Sequence, residues 1–368
     1  MNRAAVGSGL SFGMAPRPGH AGAAVRAALE RAGIDRAGSV LLVLTPEYAD
    51  DPGPSLLAAA RAAGCTQVVG CTGAGVLTDE EWVLDSPGAA AMVFSGGVGL
   101  QPVAGNTLNG TVLSLCTPEG VSAQWLDRPW KRIGAVAADV AGRGAHAVWA
   151  TARVAPEGRV ETLIGGAQCV IAVSQGVRPL TPPFEVAAVD GFDLLRLGGQ
   201  PALKVLVGSL PRAARGPGAL PLHMLSGAVT FGDPETAVDD GRYRLNHIVA
   251  TDHDSLSITL SDRLHEGERL FWAMRDAVAS EREMGRILDQ AIADDDRPPD
   301  FGFMFPCASR GPGFYGNRDR DIEAFRDRLP GVPLVGFYGN GEIGPLDNAN
   351  HLFRYSTVLG LCRFNGPR

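Results

Sequence analysis

The sequence has almost no lysine. Lys131 and Lys204 are its two lysines, and arginine supplies the rest of 33 basic residues, set against 40 acidic ones. Beside abundant alanine and glycine, this bias reads as genome base composition and not as function. A net charge of −7 leaves no basic excess, which argues against nucleic acid or an anionic membrane as the main partner. Nothing approaches eighteen unbroken apolar residues, so no transmembrane helix is expected. The opening "GSGLSFGMAPRPG" is too broken by glycine and proline for a signal-peptide core. The cysteines, Cys65, Cys71, Cys116, Cys169, Cys307 and Cys362, lack the two-residue spacing of a metal knuckle, and none precedes a histidine in a haem-attachment motif. So scattered, they are expected to be reduced thiols in a cytoplasmic protein.

What is present is a chain of 368 residues, 45% apolar, long enough for two domains with sizeable cores. "HAGAAVRAALERAGI" has helical composition. "SVLLVLTPEY" is an apolar run closed by Pro46, "PSLLAAARAAG" a helix, "TQVVGCTGAG" a strand entering a glycine loop and "AAAMVFS" another strand. The far end repeats this order. "GRILDQAIADDD" is helical, "DFGFMFPCAS" is a strand closed by Pro306, and "RDIEAFRDRLPG" is a helix. "VPLVGFYGNG" is a strand entering a glycine loop, and "YSTVLGLCRF" is the next strand. The loop Val69–Gly75 aligns with Val335–Gly341, Gly70 falling on Gly336. This reads as a two-copy duplication.

The middle is strand-rich, with hairpins turning at Asp190 and Asp252. "QPALKVLVGSL" reads as a helix, and "EGERLFWAMRDAVASEREMGRILDQ" as one long helix. Hairpins beside strand–helix–strand units indicate mixed sheets. The expected fold is therefore α/β: two similar lobes, each a mixed sheet with helices. They should span residues 1–218 and 219–368, joined by the Pro/Gly-rich "ARGPGALP".

The C-terminal glycine loop raises the functional question. Gly336, Gly339 and Gly341 have the wrong spacing for a dinucleotide fingerprint, no helix follows them, and a P-loop lysine is absent. The loop instead hangs Tyr338, Asn340 and Glu342 on a constrained strand end, where ligand groups are often presented. "CASRGPGFY" places Cys307, Ser309, Arg310 and Tyr315 after the partner strand. If the strands are neighbours, Arg310 and Glu342 emerge at one edge. There they either clasp a zwitterion such as an amino acid or form a structural salt bridge. Pro345 is expected to stop the chain from continuing as strand.

"FPCASRGPGFY" followed by "VPLVGFYGNGEIGP" resembles the C-terminal half of the FIST family, two-lobed sensory domains for small ligands. "VLLVLTPEY", "VVGCTGAGVL" and "GVRPLTPPFEVAAVDGFDLLRLGGQPAL" are similar to its N-terminal half. The likeness runs from about Ser8 to Phe364 and is weakest over Thr107–Ala167. It implies ligand sensing, with amino acids or related metabolites as a ligand class and a separate protein as signalling partner. Residue by residue it points to Cys307, Arg310, Gly311, Gly336, Phe337, Gly341, Glu342 and Gly344; Cys307, Arg310, Phe337 and Glu342 with Tyr338 and Asn340 form the expected ligand site, Phe337 or Tyr338 giving an apolar wall. Val76 stands where the family often has an acid in the N-terminal loop. Two alternatives stay open. One is a hydrolase with Cys307 as nucleophile and His351 as base. The other is a haem-binding sensor, because relatives are thought to bind haem. No other cofactor is expected, and His247 and His253, six apart, are a poor metal signal.

Overall fold

The computed structural model describes residues 3–103, 110–139, 144–212, 220–293, 295 and 297–366. Contacts divide the chain into two compact units: Met1–Ser174 with Met284–Arg368, and Gln175–Glu283. The boundary expected at 218, and nearly all of "ARGPGALP", fall outside the described residues.

The larger unit is a mixed α/β structure of three six-stranded sheets. Each is built around one parallel pair, with every other pairing antiparallel. In the first sheet the pair is Ser39–Leu44 with Val68–Thr72. In the second it is Thr111–Cys116 with Lys131–Val136, and in the third Phe301–Pro306 with Leu334–Phe337. Gly88–Ser95, Arg159–Gly165 and Thr357–Phe364 flank the pairs on one side, and a hairpin flanks each on the other. The hairpins are exchanged in a ring. The one beginning at Val76 leaves the first sheet and joins the third, the one at Glu342 leaves the third and joins the second, and the one at Val148 leaves the second and joins the first.

The strand–helix–strand unit seen twice in the sequence is thus present, and a third copy occupies the stretch where the resemblance is weakest. Gly70, Gly134 and Gly336 stand opposite Leu42, Ser114 and Met304 in the parallel pairs. A Cβ there would lie 1.6, 1.8 and 1.6 Å from those residues' carbonyl oxygens, so only glycine fits. Just beyond each pair, Gly73, Ala137 and Gly339 donate N–H bonds of 2.9, 2.7 and 2.8 Å to Leu44, Cys116 and Pro306.

Side-chain alternation along the strands explains the layering. Leu41 and Val43, Leu113 and Leu115, and Phe301, Phe303 and Phe305 point into one core shared by the three sheets. Val40, Leu42 and Leu44 face the opposite way, against Ala24, Val25 and Ala28 of helix Pro18–Ala32 and Leu56 and Ala59 of helix Gly53–Ala63. The third sheet's outer residues, Met304, Leu334 and Leu359, pack on Met284, Leu288, Ile322 and Phe325.

In the smaller unit six antiparallel strands close into a ring: Arg269–Arg275, Phe184–Asp190, Asp193–Leu197, Ser257–Leu260, Tyr243–Asp252 and Leu225–Thr230, the last pairing back to the first. Leu203 and Leu206 of helix Ala202–Ser209 share its core with Ile258, Leu270 and Trp272. The long helix expected from "EGERLFWAMRDAVASEREMGRILDQ" is corrected here. Arg269–Arg275 is a strand and helix begins at Ala277. The apolar run "LFWAM" completes a buried ladder, and tertiary pairing overrides helical composition.

The cysteines bring a second correction. Cys169 and Cys362 lie directly opposite one another in the antiparallel ladder of the third sheet and form a disulfide, while Cys65, Cys71, Cys116 and Cys307 are free thiols. Among the described residues no helix is long and apolar enough to cross a membrane.

Candidate functional site

Strand Phe301–Pro306 delivers Cys307 to the end of the third sheet, where a single 3-10 turn, Ala308–Arg310, reverses the chain. Backbone bonds fix this corner: Cys307 N–H to Ser356 O at 2.8 Å and Ala308 N–H to Gly339 O at 2.8 Å. The glycine loop is stitched to the second sheet by Asn340 N–H to Val136 O, 2.9 Å, and Val136 N–H to Gly341 O, 2.8 Å. Gly341, at φ +130°, takes a turn that side-chain-bearing residues rarely adopt. The next residue, Glu342, opens a strand that runs to Leu346. Pro345 therefore lies within this strand and does not end it. It sits beyond the last residue paired with strand Lys131–Val136, Ile343 opposite Gly134, where a missing N–H breaks no bond to that strand.

A cavity of about 560 Å³ opens at this corner, lined by Pro118, Val121, Val136, Cys307, Ser309, Asn340, Gly341, Leu352, Arg354 and Tyr355. Two of the residues expected from the sequence, Cys307 and Asn340, are on its wall. Glu342 lies behind that wall, fully buried. Its Oε2 accepts from Ser356 Oγ at 2.6 Å and Ser356 N–H at 3.3 Å, whereas Oε1 has no hydrogen-bond partner among the described residues. Burial pushes the Glu342 carboxyl up to about 8, although bonds from Ser356 and the Cys307 thiol and the nearby Arg310 charge draw it back.

The other three expected residues serve elsewhere. Arg310 is buried and grips Asp321 in a fork, Nε to Oδ2 at 3.0 Å and Nη2 to Oδ1 at 3.1 Å. It also donates to Ser174 O at 2.8 Å and Ser174 Oγ at 2.6 Å. Asp321 accepts further bonds from Tyr315 Oη at 2.8 Å and Thr357 Oγ1 at 2.7 Å. Of the arrangements weighed for Arg310, the structure thus shows an ion pair, but with Asp321 in place of Glu342. Tyr338 is buried and donates to Asp319 Oδ2 at 2.6 Å; burial raises Asp319 to about 6, with the Asp321 charge adding to it. Phe337 packs in the shared core, its ring 5.3 Å from that of Phe305. The apolar wall comes instead from Pro118, Val121, Val136 and Leu352. His351, considered as a base, directs Nε2 to Leu346 O at 3.1 Å.

Sequence reasoning missed Arg354, Tyr355 and Ser356, Pro118 and Val121 in the turn after strand Thr111–Cys116, and Val136 of the second sheet. Tyr355 has φ +60°, a left-handed conformation uncommon away from glycine and concentrated at functional positions. One signal for the second-sheet wall was available: "LTPEY" and "CTPEG" mark the same corner in the first and second sheets, at Thr45 and Thr117.

Those corners allow an internal comparison. Thr45, Thr117 and Cys307 donate backbone bonds to Gly88, Gly158 and Ser356. Val76 opposite Phe337, Val148 opposite Cys71 and Glu342 opposite Ala135 are likewise equivalent in pairing. Two corners therefore carry threonine, valine and glycine where the third carries Cys307, Glu342 and Ser356. The fold closes twice without a buried acid, so closure does not require Glu342.

The architecture and the glycine-loop corner define a two-domain FIST protein. Sequence models of the FIST N domain and the FIST C domain match residues 39–200 and 202–345, and the chain belongs to the FIST family. It is similar to the uncharacterized protein MT0656 of Mycobacterium tuberculosis (strain CDC 1551 / Oshkosh), 28% identical over 237 residues, 62% of this chain and 60% of the relative. A protein of Mycobacterium bovis, the uncharacterized protein Mb0898c, is 27% identical over 229 residues, 62% and 59% of the two chains. Human F-box only protein 22 is 56% identical over 46 residues, 12% of this chain and 11% of the relative. The chain thus spans about 60% of the length of the mycobacterial relatives.

Proposed function

We propose that the protein is a small-ligand-binding sensory protein that signals to a separate partner, and that the cavity beside Cys307, Asn340 and Arg354 is its ligand site. The observation that supports this is the difference among the three equivalent corners. Burying Glu342 and lifting its pKa costs stability, and valine does the same structural work at the other two. A costly group that the fold does without elsewhere is best explained by function. Amino acids and related metabolites are the ligand class to test first, and a cytoplasmic setting belongs to the same proposal. A thermal-shift screen of the purified protein against such a panel tests the reading. A ligand at about 100 times its Kd adds about 2.7 kcal/mol to folding stability. Asn340→Ala should abolish that gain without lowering the unliganded melting temperature. A flat panel, with no small molecule carried through purification, would sink the proposal.

A second reading has one observation in its favour. The Cys307 thiol borders the cavity and hydrogen-bonds the Glu342 carboxyl, so a Cys307-dependent hydrolase would use Glu342, not His351, as its base. Iodoacetamide labelling of Cys307 against pH separates the two. A rate that rises as Glu342 ionises favours the enzyme, and the slow rate of an ordinary thiol removes it.

A further inference from the structure

We infer that the cavity binds its ligand by a carboxylate, with Arg354 as the pairing cation. This rests on the ligand-site reading above and names the ligand's chemical class. Arg354 is exposed, lies on the cavity wall, and forms no ion pair or side-chain hydrogen bond among the described residues. The Asn340 amide, on the same wall, makes no side-chain hydrogen bond among them either. The wall carries no aspartate or glutamate. A guanidinium with an adjacent amide, and no competing acid, suits a planar anion.

Glu342 lies directly behind this wall, and its state decides the sign of the pocket. Ionised, it would repel a carboxylate bound on the other side of Cys307 and attract an ammonium. Protonated, it leaves Arg354 as the net charge. Several groups face Glu342. Cys307 and Arg310 come from the third-sheet corner and Ser356 from the turn before Thr357; Asp321 of helix Arg320–Arg328 is paired with Arg310, and Arg354 and Tyr355 line the adjoining cavity. Arg310 is the cation whose charge acts on this carboxyl, and its fork is filled by Asp321 and Ser174. Burial keeps the Glu342 carboxyl protonated at neutral pH, which matches the demand of an anionic ligand and opposes that of an amine. Binding a carboxylate and holding a proton on Glu342 are thereby linked, each favouring the other.

The test uses probes matched in shape and opposite in charge, acetate and propionate against methylamine and ethylamine, titrated into the whole protein by calorimetry. Carboxylates should bind in preference to amines, and their Kd should rise about tenfold between about pH 7 and pH 9, as one linked proton requires. In Glu342→Gln, whose amide is neutral at every pH, that dependence should shrink to less than about twofold. Arg354→Gln should weaken carboxylate binding at all pH values, which keeps the test decisive if the first variant folds poorly. Preferential amine binding, or carboxylate affinity that rises with pH, overturns the inference and leaves the site intact. A slope that persists in Glu342→Gln assigns the proton to another group, the Cys307 thiol foremost, and overturns it as well. Binding of neither series removes the ligand site itself.

Discussion

Replacing Glu342 by glutamine should make the protein more resistant to alkaline conditions. Its carboxyl titrates near 8 in the folded chain against an ordinary 4.5. Between those values the folded state holds a proton that the unfolded state has released. Folding stability therefore falls as pH rises through the window, by about 1.4 kcal/mol per pH unit. The loss amounts to about 2–3 kcal/mol between pH 5 and pH 7, and to about 4–5 kcal/mol once the folded carboxyl has ionised. Glutamine does not titrate. Its oxygen can accept from Ser356 as Oε2 does, and its amide occupies the place of the protonated oxygen. Arg310 keeps Asp321 in the variant, so no charge is stranded. The assay is urea unfolding of both proteins from about pH 5 to pH 9. The stability difference between them isolates Glu342, because other titrating groups, Asp319 among them, are common to both. That difference should shift in favour of glutamine by about 2–3 kcal/mol between pH 5 and pH 7. A pH-independent difference would refute the reasoning, as would a uniform loss of about 3–5 kcal/mol, the mark of a broken buried ion pair.

Two further outcomes follow from the same geometry. Asp321→Asn strands the Arg310 guanidinium in the interior and should cost about 3–5 kcal/mol in the same urea assay; a loss below about 1 kcal/mol would mean that Arg310 finds another anion. Gly70→Ala, Gly134→Ala and Gly336→Ala should each prevent accumulation of soluble folded protein, because the new Cβ collides with a strand carbonyl in all three. Gly313→Ala, with open space around it, is the matched control, and a Gly134→Ala protein as stable as that control would undo the equivalence of the third copy.

Local chemistry made much of this protein legible in its sequence. The strand ends at Pro46 and Pro306, the helices that follow and the two glycine loops all follow from short-range pattern, where composition and turn residues act on their own neighbours. The family could be recognised for the same reason, since its distinctive residues are contiguous. Tertiary structure decided the rest. Arg310 was expected beside Glu342, and it faces Asp321 because helix Arg320–Arg328 docks there. Arg269–Arg275 became strand because a ladder partner was present, and Cys169 met Cys362 because the register of two strands set them opposite each other across 193 positions. The third sheet-forming copy was hidden because it shares strand pairing and the backbone geometry at Gly134 with the other two, but little sequence beyond the Thr-Pro-Glu turn it has in common with the first. The cavity at this corner combines residues near positions 120, 136, 307, 340 and 354, and it exists only because the exchanged hairpin carries Glu342 from one sheet into the next.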